Sequence, residues 1–372
     1  MSLAGLPIDD RSSIKASGLE GVVVADTRLS HVDGERGELL IAGRRAEDLA
    51  LEDPGHFESV VERLWELGAA EPQPHLRERM AEARVSAFAQ IPELTRALSL
   101  SNAMDALLAA TAQGSAGSDA VSVLGALPVY VAAAARLRAG QSPIAPNASR
   151  SVARDFLSML GLPASATHAR ALDAYWVTVS DHGLNASTFA ARVVASTGAD
   201  VMPCVVAGLG ALKGPLHGGA PGPVLDMLDA TTDIEPRVWL ERELAAGRRI
   251  MGMGHRIYRV RDPRAFIFER ALTRLASDEP EHSPVAARLA HARHVEQAAQ
   301  ELLRERHPER PLCANVEFYT ALLLEAVGIP RELFTPVFAI GRCAGWLAHI
   351  AEQRHTGRLI RPAARYVGPM PD

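Results

Sequence analysis

The sequence predicts a mostly α-helical chain that opens with a short β-hairpin region. Three observations carry this. Strand-like character is confined to the first 45 residues. Beyond them, apolar residues recur at helical spacing, with Gly and Pro between the runs. No β-α-β alternation follows, which argues against a parallel-sheet α/β fold.

Residues 19–43, LEGVVVADTRLSHVDGERGELLIAG, read as short strands. Residues 22–24 are β-branched, and Asp33 with Gly34 is a hairpin turn signal. ESVVERLWELGAA (58–70) has helical spacing and a glycine near its end. DALLAATAQ, ARDFLSMLG and ARALDAYWVTVSDHG continue the pattern, the last ending at His182 and Gly183. RVWLERELAAG, HARHVEQAAQELLRERH, NVEFYTALLLEAVGIPRELF and PVFAIGRCAGWLAHIAEQ extend it to the C-terminal region. SPIAPNAS (142–149) and SDEPEHSPV (277–285) read as loops. The ends, up to about residue 17 and after about 365, read as loosely held.

At 372 residues the chain suits two domains, or a large domain with a smaller one inserted. With 39 basic and 44 acidic residues the net charge is −5, which disfavours a general nucleic-acid or acidic-membrane binder. Cys204, Cys313 and Cys343 form no C-x-x-C pair, and an odd count makes a poor disulfide framework. A reducing, cytoplasmic compartment is expected. The start, MSLAGLPIDDRSSIK, lacks the basic and apolar regions of a signal peptide. The longest apolar run, 120–135, is short for a bilayer and interrupted by Pro128, so it reads as a buried helix and no membrane partner is expected.

Three stretches join histidine to small or flexible backbone. In KGPLHGGAPGP, His217 is flanked by Gly214, Gly218 and Gly219, which let backbone approach a ligand closely. A tight turn with an incidental histidine would look the same. In MGMGHRIYRVRDPRAF, Gly252 and Gly254 precede His255, and Arg256, Arg259, Arg261 and Arg264 follow. The planar guanidinium makes paired hydrogen bonds to carboxylates and phosphates, so a polyanionic substrate near a proton donor is suggested. A solvated basic loop is the plainer alternative. SDHGLNASTF sets His182 near Asn185, Ser187 and Thr188, and a helix end followed by an N-cap explains it equally well. GLGALK fails as a dinucleotide loop because Lys213 holds the third glycine position. His291 and His294 lie three apart on a charged helix without partners at ligand spacing, and read as a solvated face rather than a metal site.

Taken in order, six blocks resemble the citrate synthase family: residues 18–50, HGLNASTFAARVVAST, GPLHGGAPGPVLDML, GMGHRIYRVRDPRA, NVEFYTALLLEAVGIPRELFTPVFAIGRCAGWLAHIAEQ and RLIRPAARYVG. The resemblance implies a two-domain helical homodimer, with residues 1–217 and 323–372 forming the large domain and 218–322 the small one. It implies condensation of acetyl-CoA with oxaloacetate, with no permanently bound cofactor. Glu317 would be the base, His217 the donor to the enol oxygen, and His255 the donor to the keto oxygen. His182, Arg264 and Arg342 would bind the dicarboxylate, and Arg361 would reach in from the partner subunit. Arg259 and the backbone of Met251, Gly252, Met253 and Gly254 would hold CoA. Three positions depart from the common pattern: Glu317 where aspartate is usual, Gly183 where many members carry glutamate, and Met253 where an aromatic is common. The extra methylene of Glu317 displaces the carboxylate by roughly one bond, and about 1 Å of misplacement can cost on the order of 100-fold in rate. Two alternatives stand beside this expectation. One is 2-methylcitrate synthesis from propionyl-CoA. The other is a catalytically weak relative that binds CoA esters or dicarboxylates in a regulatory role.

Overall fold

The computed structural model describes residues 19, 21–51, 56–69, 71–114, 119–217, 221–255, 257–278, 283–309, 312–364 and 366–371. Gly218, Gly219 and Arg256, and part of the loop expected at 277–285, lie outside them.

Three short strands open the fold: β1 (Ser30–Asp33), β2 (Glu38–Ile41) and β3 (Arg44–Arg45), paired antiparallel in the order β1-β2-β3. Ser30 pairs with Ile41 and Asp33 with Glu38, so the turn signalled by Asp33 and Gly34 closes the β1–β2 hairpin. The valines at 22–24 are exposed and form no strand among the described residues.

Sixteen α-helices follow among the described residues. The first eight are α1 (Ala46–Leu51), α2 (Phe57–Ala69), α3 (Leu76–Ala89), α4 (Ile91–Leu98), α5 (Ala103–Gln113), α6 (Ala120–Arg138), α7 (Val152–Leu160) and α8 (Ala166–Val179). Then come α9 (Ala186–Ala195), α10 (Val201–Lys213), α11 (Pro221–Ala230), α12 (Pro236–Ala245), α13 (Pro263–Ser277), α14 (Pro284–Arg306), α15 (Val316–Ala326) and α16 (Phe334–Thr356). Side-chain caps fix many of the starts. Asn102, Asp119, Ser151, Ser165, Asn185, Asp262, Ser283 and Asn315 each accept a backbone N–H of the first turn.

Helix α6 runs unbroken through Pro128, contrary to the interruption its sequence suggests. The proline is buried, and packing against α3 and α5 compensates for the one backbone bond it cannot make. Both α6 and the segment Arg331–His355 are long and apolar enough to cross a membrane, yet 72% and 89% of their apolar windows are buried inside the protein, as in core helices. GLGALK lies within α10, which disposes of the nucleotide-loop reading. Helix α8 stops at Val179, three residues before the end its sequence suggests, leaving residues 180–184 as a turn into α9.

Helix α16 is the axis of the core. It packs on α2, α6, α8, α9 and α10, and buries Val337, Ile340, Cys343, Ala344, Trp346 and Ile350. Trp176 of α8 donates from Nε1 to Val337 O (2.9 Å), and Trp65 of α2 to Ala344 O (3.0 Å), so both indoles satisfy their N–H while filling the core. At Gly345 the turn after α8 lies flush on α16: a Cβ there would stand 2.2 Å from Ser180 O and 2.9 Å from Asp181 Oδ1. Gly345→Ala is therefore expected to force the turn off α16 and destabilise the fold by about 1–3 kcal/mol. A lowered urea midpoint with unchanged slope would show this, and an unchanged midpoint would refute the close packing.

Candidate active site

The segment 251–262 between α12 and α13 is built against the strand-like strap before α15. Gly252 and Gly254 adopt left-handed φ of 74° and 78°, a region a side chain disfavours. Between them Met253 pairs with Ala314 in an isolated antiparallel bridge. Gly254 N donates to Cys313 O (2.7 Å), Asn315 N to Gly252 O (2.8 Å), and Asn315 Nδ2 to Gly254 O (2.8 Å). Asn315 also caps α15 by accepting Glu317 N (2.9 Å). His255 and Glu317, 62 residues apart, are thus carried on two segments stitched together.

Asp262 completes the stitching. It precedes Pro263 at the start of α13 and is buried. Its carboxylate accepts from Arg264 N (3.0 Å), Nε (3.0 Å) and Nη2 (2.8 Å), and from Val316 N (3.1 Å). Arg264 is thereby aimed at the imidazole of His255, with Nη2 3.1 Å from Nε2. His255 Nδ1 faces two amide donors, Ile257 N (3.0 Å) and Tyr258 N (3.1 Å), so donors meet both ring nitrogens and a neutral ring can accept on only one side. An anionic or carbonyl oxygen arriving between Arg264 Nη2 and His255 Nε2 relieves this conflict, because with the ring proton on Nε2 it can accept from both. Burial lowers the His255 pKa to about 4, the Arg264 charge adds to this and Asp262 opposes it, so the ring is neutral near pH 7.

His182 stands in the turn after α8, its ring centroid 6.3 Å from that of His255. Its Nε2 is 3.1 Å from the hydroxyl of Tyr258, a buried residue whose ring also tilts against His255. Burial, then the charges of Arg264 and Arg342, hold its pKa well below the ordinary value. Arg342, on α16, is 2% exposed; its Nε donates to Val179 O (2.6 Å) and its guanidinium lies 4.7 Å over the Phe338 ring. Among the described residues no carboxylate pairs with it. Burial lowers its pKa to about 10, with the nearby Asp181 charge opposing. A buried cation without a counterion is costly, and an anionic ligand removes the cost.

His217 lies in the turn after α10 with Nε2 2.8 Å from Ser187 Oγ. Ser187 also meets Asn185 Oδ1 (2.7 Å) and receives Trp346 Nε1–H (3.2 Å). With its single proton turned to His217, the serine leaves Nδ1–H of that ring free for a ligand. Turned to Asn185, it makes His217 the donor to Ser187 instead. Burial lowers the His217 pKa to about 4, helped by Arg342. Glu317 is half-buried in the first turn of α15. Burial raises its pKa and so does Asp262, while Arg264 lowers it. A carboxyl poised upward is the better base.

The remaining expected residues sit differently. Met251 and Met253 are half-buried and Gly252 is buried beside Phe318. Arg259 is exposed: its N–H donates to Gly34 O of the hairpin turn (2.9 Å), and its Nε lies 3.8 Å from Glu35. Arg361 is exposed on the extended segment after α16, where Ile360 N is tethered to Ser196 Oγ (3.0 Å), and among the described residues it has no hydrogen bond or ion pair to the cluster. His291 bonds Leu228 O (3.1 Å) from α14, away from the cluster. Sequence reasoning missed Asp262, Tyr258 and Asn315. The first and last carried a signal, as polar residues directly before helix starts, one with Pro at the first helical position. Tyr258 carried none.

The model for the citrate synthase C-terminal domain matches residues 18–363, and the chain belongs to the citrate synthase family, enzymes of the acyltransferase type. It is 39% identical to a putative citrate synthase 2 of Mycobacterium tuberculosis, over 95% of this chain and 93% of that one. It is 36% identical to a citrate synthase of Haloferax volcanii (94% and 95%), and 32% identical to a 2-methylcitrate synthase of M. tuberculosis (99% and 94%). The fold superposes on the crystal structure of citrate synthase from Thermotoga maritima with a TM-score of 0.79 at 31% identity, covering 96% of each chain. It superposes on the Thermoplasma acidophilum enzyme in ternary complex with carboxymethyl coenzyme A and oxaloacetate with a TM-score of 0.81 at 27% identity, covering 96% of this chain and 97% of that one.

Asp262→Asn is expected to cost about 3–5 kcal/mol, because it leaves Arg264 buried without its counter-charge. Urea unfolding of the variant measures it, and a cost below 1 kcal/mol would deny Asp262 this role. A second expectation concerns pH. Unfolding returns His217 from about 4 to an ordinary value of 6.5. Between those values the unfolded chain binds a proton that the folded chain does not, so this residue makes stability rise with pH across pH 4–6.5. His217→Gln should flatten that slope, measured as urea stability against pH; a slope identical to wild type would contradict a neutral, buried ring.

Proposed function

We propose that the protein condenses acetyl-CoA with oxaloacetate to give citrate and free CoA. The observation that carries this reading is Arg342: a buried cation with no carboxylate partner among the described residues, beside Arg264 and two neutral histidines. Such a pocket suits a small dicarboxylate, and the Thermoplasma relative's structure holds oxaloacetate by its description.

In this reading Glu317 removes a proton from the acetyl methyl group while His217 donates a hydrogen bond to the developing enol oxygen. The enol carbon bonds to the keto carbon of oxaloacetate, and His255 Nε2–H protonates the new alkoxide. Water then cleaves the thioester, releasing the CoA thiol. Neutral histidines donate without placing a second positive charge beside the arginines. His182, Arg264 and Arg342 hold the carboxylates; Arg259 and the backbone of residues 251–254 hold CoA, which enters as co-substrate and leaves as product.

We divide the chain into a large domain (1–217 and 323–372) and a small one (218–322) that closes over substrate and excludes water. Arg259 N to Gly34 O and Tyr258 to His182 are the contacts that such a closure would make between the two parts. We also read the enzyme as a homodimer with Arg361 supplied to the partner's site. Its exposure supports this, as do the exposed apolar residues Leu359, Tyr366 and Val367 on the same segment. A cytoplasmic location accords with three unpaired thiols. The 2-methylcitrate synthase relative keeps propionyl-CoA as the second reading, since one methylene in an apolar pocket is worth only about 1–3 kcal/mol.

Thiol release from acetyl-CoA and from propionyl-CoA, with oxaloacetate present, tests the proposal. Turnover is expected in the wild type and should fall ~10²–10⁴-fold in Glu317→Gln; the faster acyl-CoA identifies the substrate. An inert wild type that binds oxaloacetate, with turnover restored in Glu317→Asp, would instead make the chain a binding protein with a displaced base.

A further inference from the structure

Behind the pocket lies a buried polar chain that the reaction does not use. Arg192 of α9 donates from Nη1 to Glu352 Oε2 (2.7 Å) and from Nε to Gln353 Oε1 (3.0 Å). The same Nη1 lies 3.0 Å from His349 Nδ1. An arginine can only donate, so His349 Nδ1 accepts and the neutral ring carries its proton on Nε2. That nitrogen is 3.2 Å from both carboxylate oxygens of Asp181. Asp181 Oδ2 also accepts from Ser30 Oγ of β1 (2.6 Å), and Ser30 Oγ accepts Gly183 N (2.9 Å). His182 sits between the two anchored residues. Asp181 and His349 are both fully buried.

The sequence arranges this from one helix face. Arg342, Gly345, His349, Glu352 and Gln353 recur on α16 at spacings of three and four. Arg342 grips Val179 O at the end of α8, Gly345 lets the turn lie against the helix, and His349 bonds the Asp181 side chain. Although burial alone would raise it, His349, Ser30 and Arg342 hold the Asp181 carboxyl below the usual range. Asp181 is also the carboxylate whose charge offsets burial at Arg342.

We infer that Asp181 and His349 are positioning residues for the dicarboxylate pocket: the His349 imidazole links Arg192 to the Asp181 carboxylate, and that carboxylate fixes the turn presenting His182 beside Arg342. The inference rests on the proposed function for its substrate and on the contacts above for its geometry. Neither residue reaches the reacting atoms.

The test compares His349→Leu, which loses the donor, with His349→Gln, whose amide can still donate to Asp181. In the Leu variant the KM for oxaloacetate is expected to rise about tenfold, the loss of one charged hydrogen bond. The KM for acyl-CoA, whose candidate contacts lie on residues 251–259, should stay within about twofold. The Gln variant should return the oxaloacetate KM to within about threefold of wild type. Hydrogen exchange at the Gly183 amide needs neither substrate nor turnover, and should speed in Leu but not in Gln. If the Leu variant does not fold, Ser30→Ala makes a smaller cut in the same chain and is expected to show the same selective rise and the same faster exchange. Equal rises in both KM values, or unchanged exchange at Gly183, overturn the inference. A wild type that turns over no acyl-CoA overturns the functional reading alone, because the exchange experiment still decides the geometry.

Discussion

The site depends on one buried carboxylate. Asp262 accepts four hydrogen bonds, three from Arg264 and one from the first amide of α15. It thereby settles two matters at once. It fixes the direction of a guanidinium that has little other support, and it ties the start of α13 to the start of α15, where Glu317 lies. The Met253–Ala314 bridge and the Asn315 side chain close the same junction from the other side. Without Asp262 the charge of Arg264 would be uncompensated and free to move. With it, the Arg264 guanidinium is directed at His255.

Burial first, and the arginine charges second, explain why the histidines are neutral. Two arginines, Arg264 and Arg342, are buried within range of His182, and one or the other lowers His217 and His255 as well. Positive charge has been placed on groups that cannot lose it, and protons for donation on groups that hold them without charge. Asp262 balances Arg264 through direct bonds, whereas Asp181 offsets Arg342 only by the nearness of its charge. In the proposed reading a dicarboxylate would complete the neutralisation, and burial would make each of those interactions stronger than it is in water.

Much of this was legible in the sequence, for identifiable reasons. The helical run and the opening hairpin followed from apolar spacing and the Asp33–Gly34 turn, which are local signals. The glycines before His255 foretold a tight backbone, and the structure uses them for left-handed turns beside the Cys313–Asn315 strap. Local signals failed where tertiary contact decides. Residues 22–24 are good strand formers that stay exposed and pair with no strand among the described residues. Pro128 should break α6 but is held in a packed core. The end of α8 moved back to Val179 because Arg342 and Gly345, more than 160 residues away, fit the turn rather than another helical residue. Tyr258 and the Arg192–His349–Asp181 chain could not be read at all, since each joins distant segments through side chains that look ordinary in sequence.

Glu317 is where the family resemblance and this chain differ most directly, aspartate being the usual residue. A longer side chain could be offset by a retreat of the backbone. Here the start of α15 has no such freedom: Asn315 is bonded to Gly252 and Gly254, Val316 to Asp262, and the Glu317 amide to the Asn315 cap. The following residue, Phe318, is fully buried against Gly252. With the backbone pinned at successive residues, the extra methylene has to be taken up by the side chain's own rotation or on the cleft side, where the acyl group would lie. If Glu317 is the base, as proposed, the departure would bear on the acyl site rather than on the scaffold, and there acetyl-CoA and propionyl-CoA differ by the same single methylene.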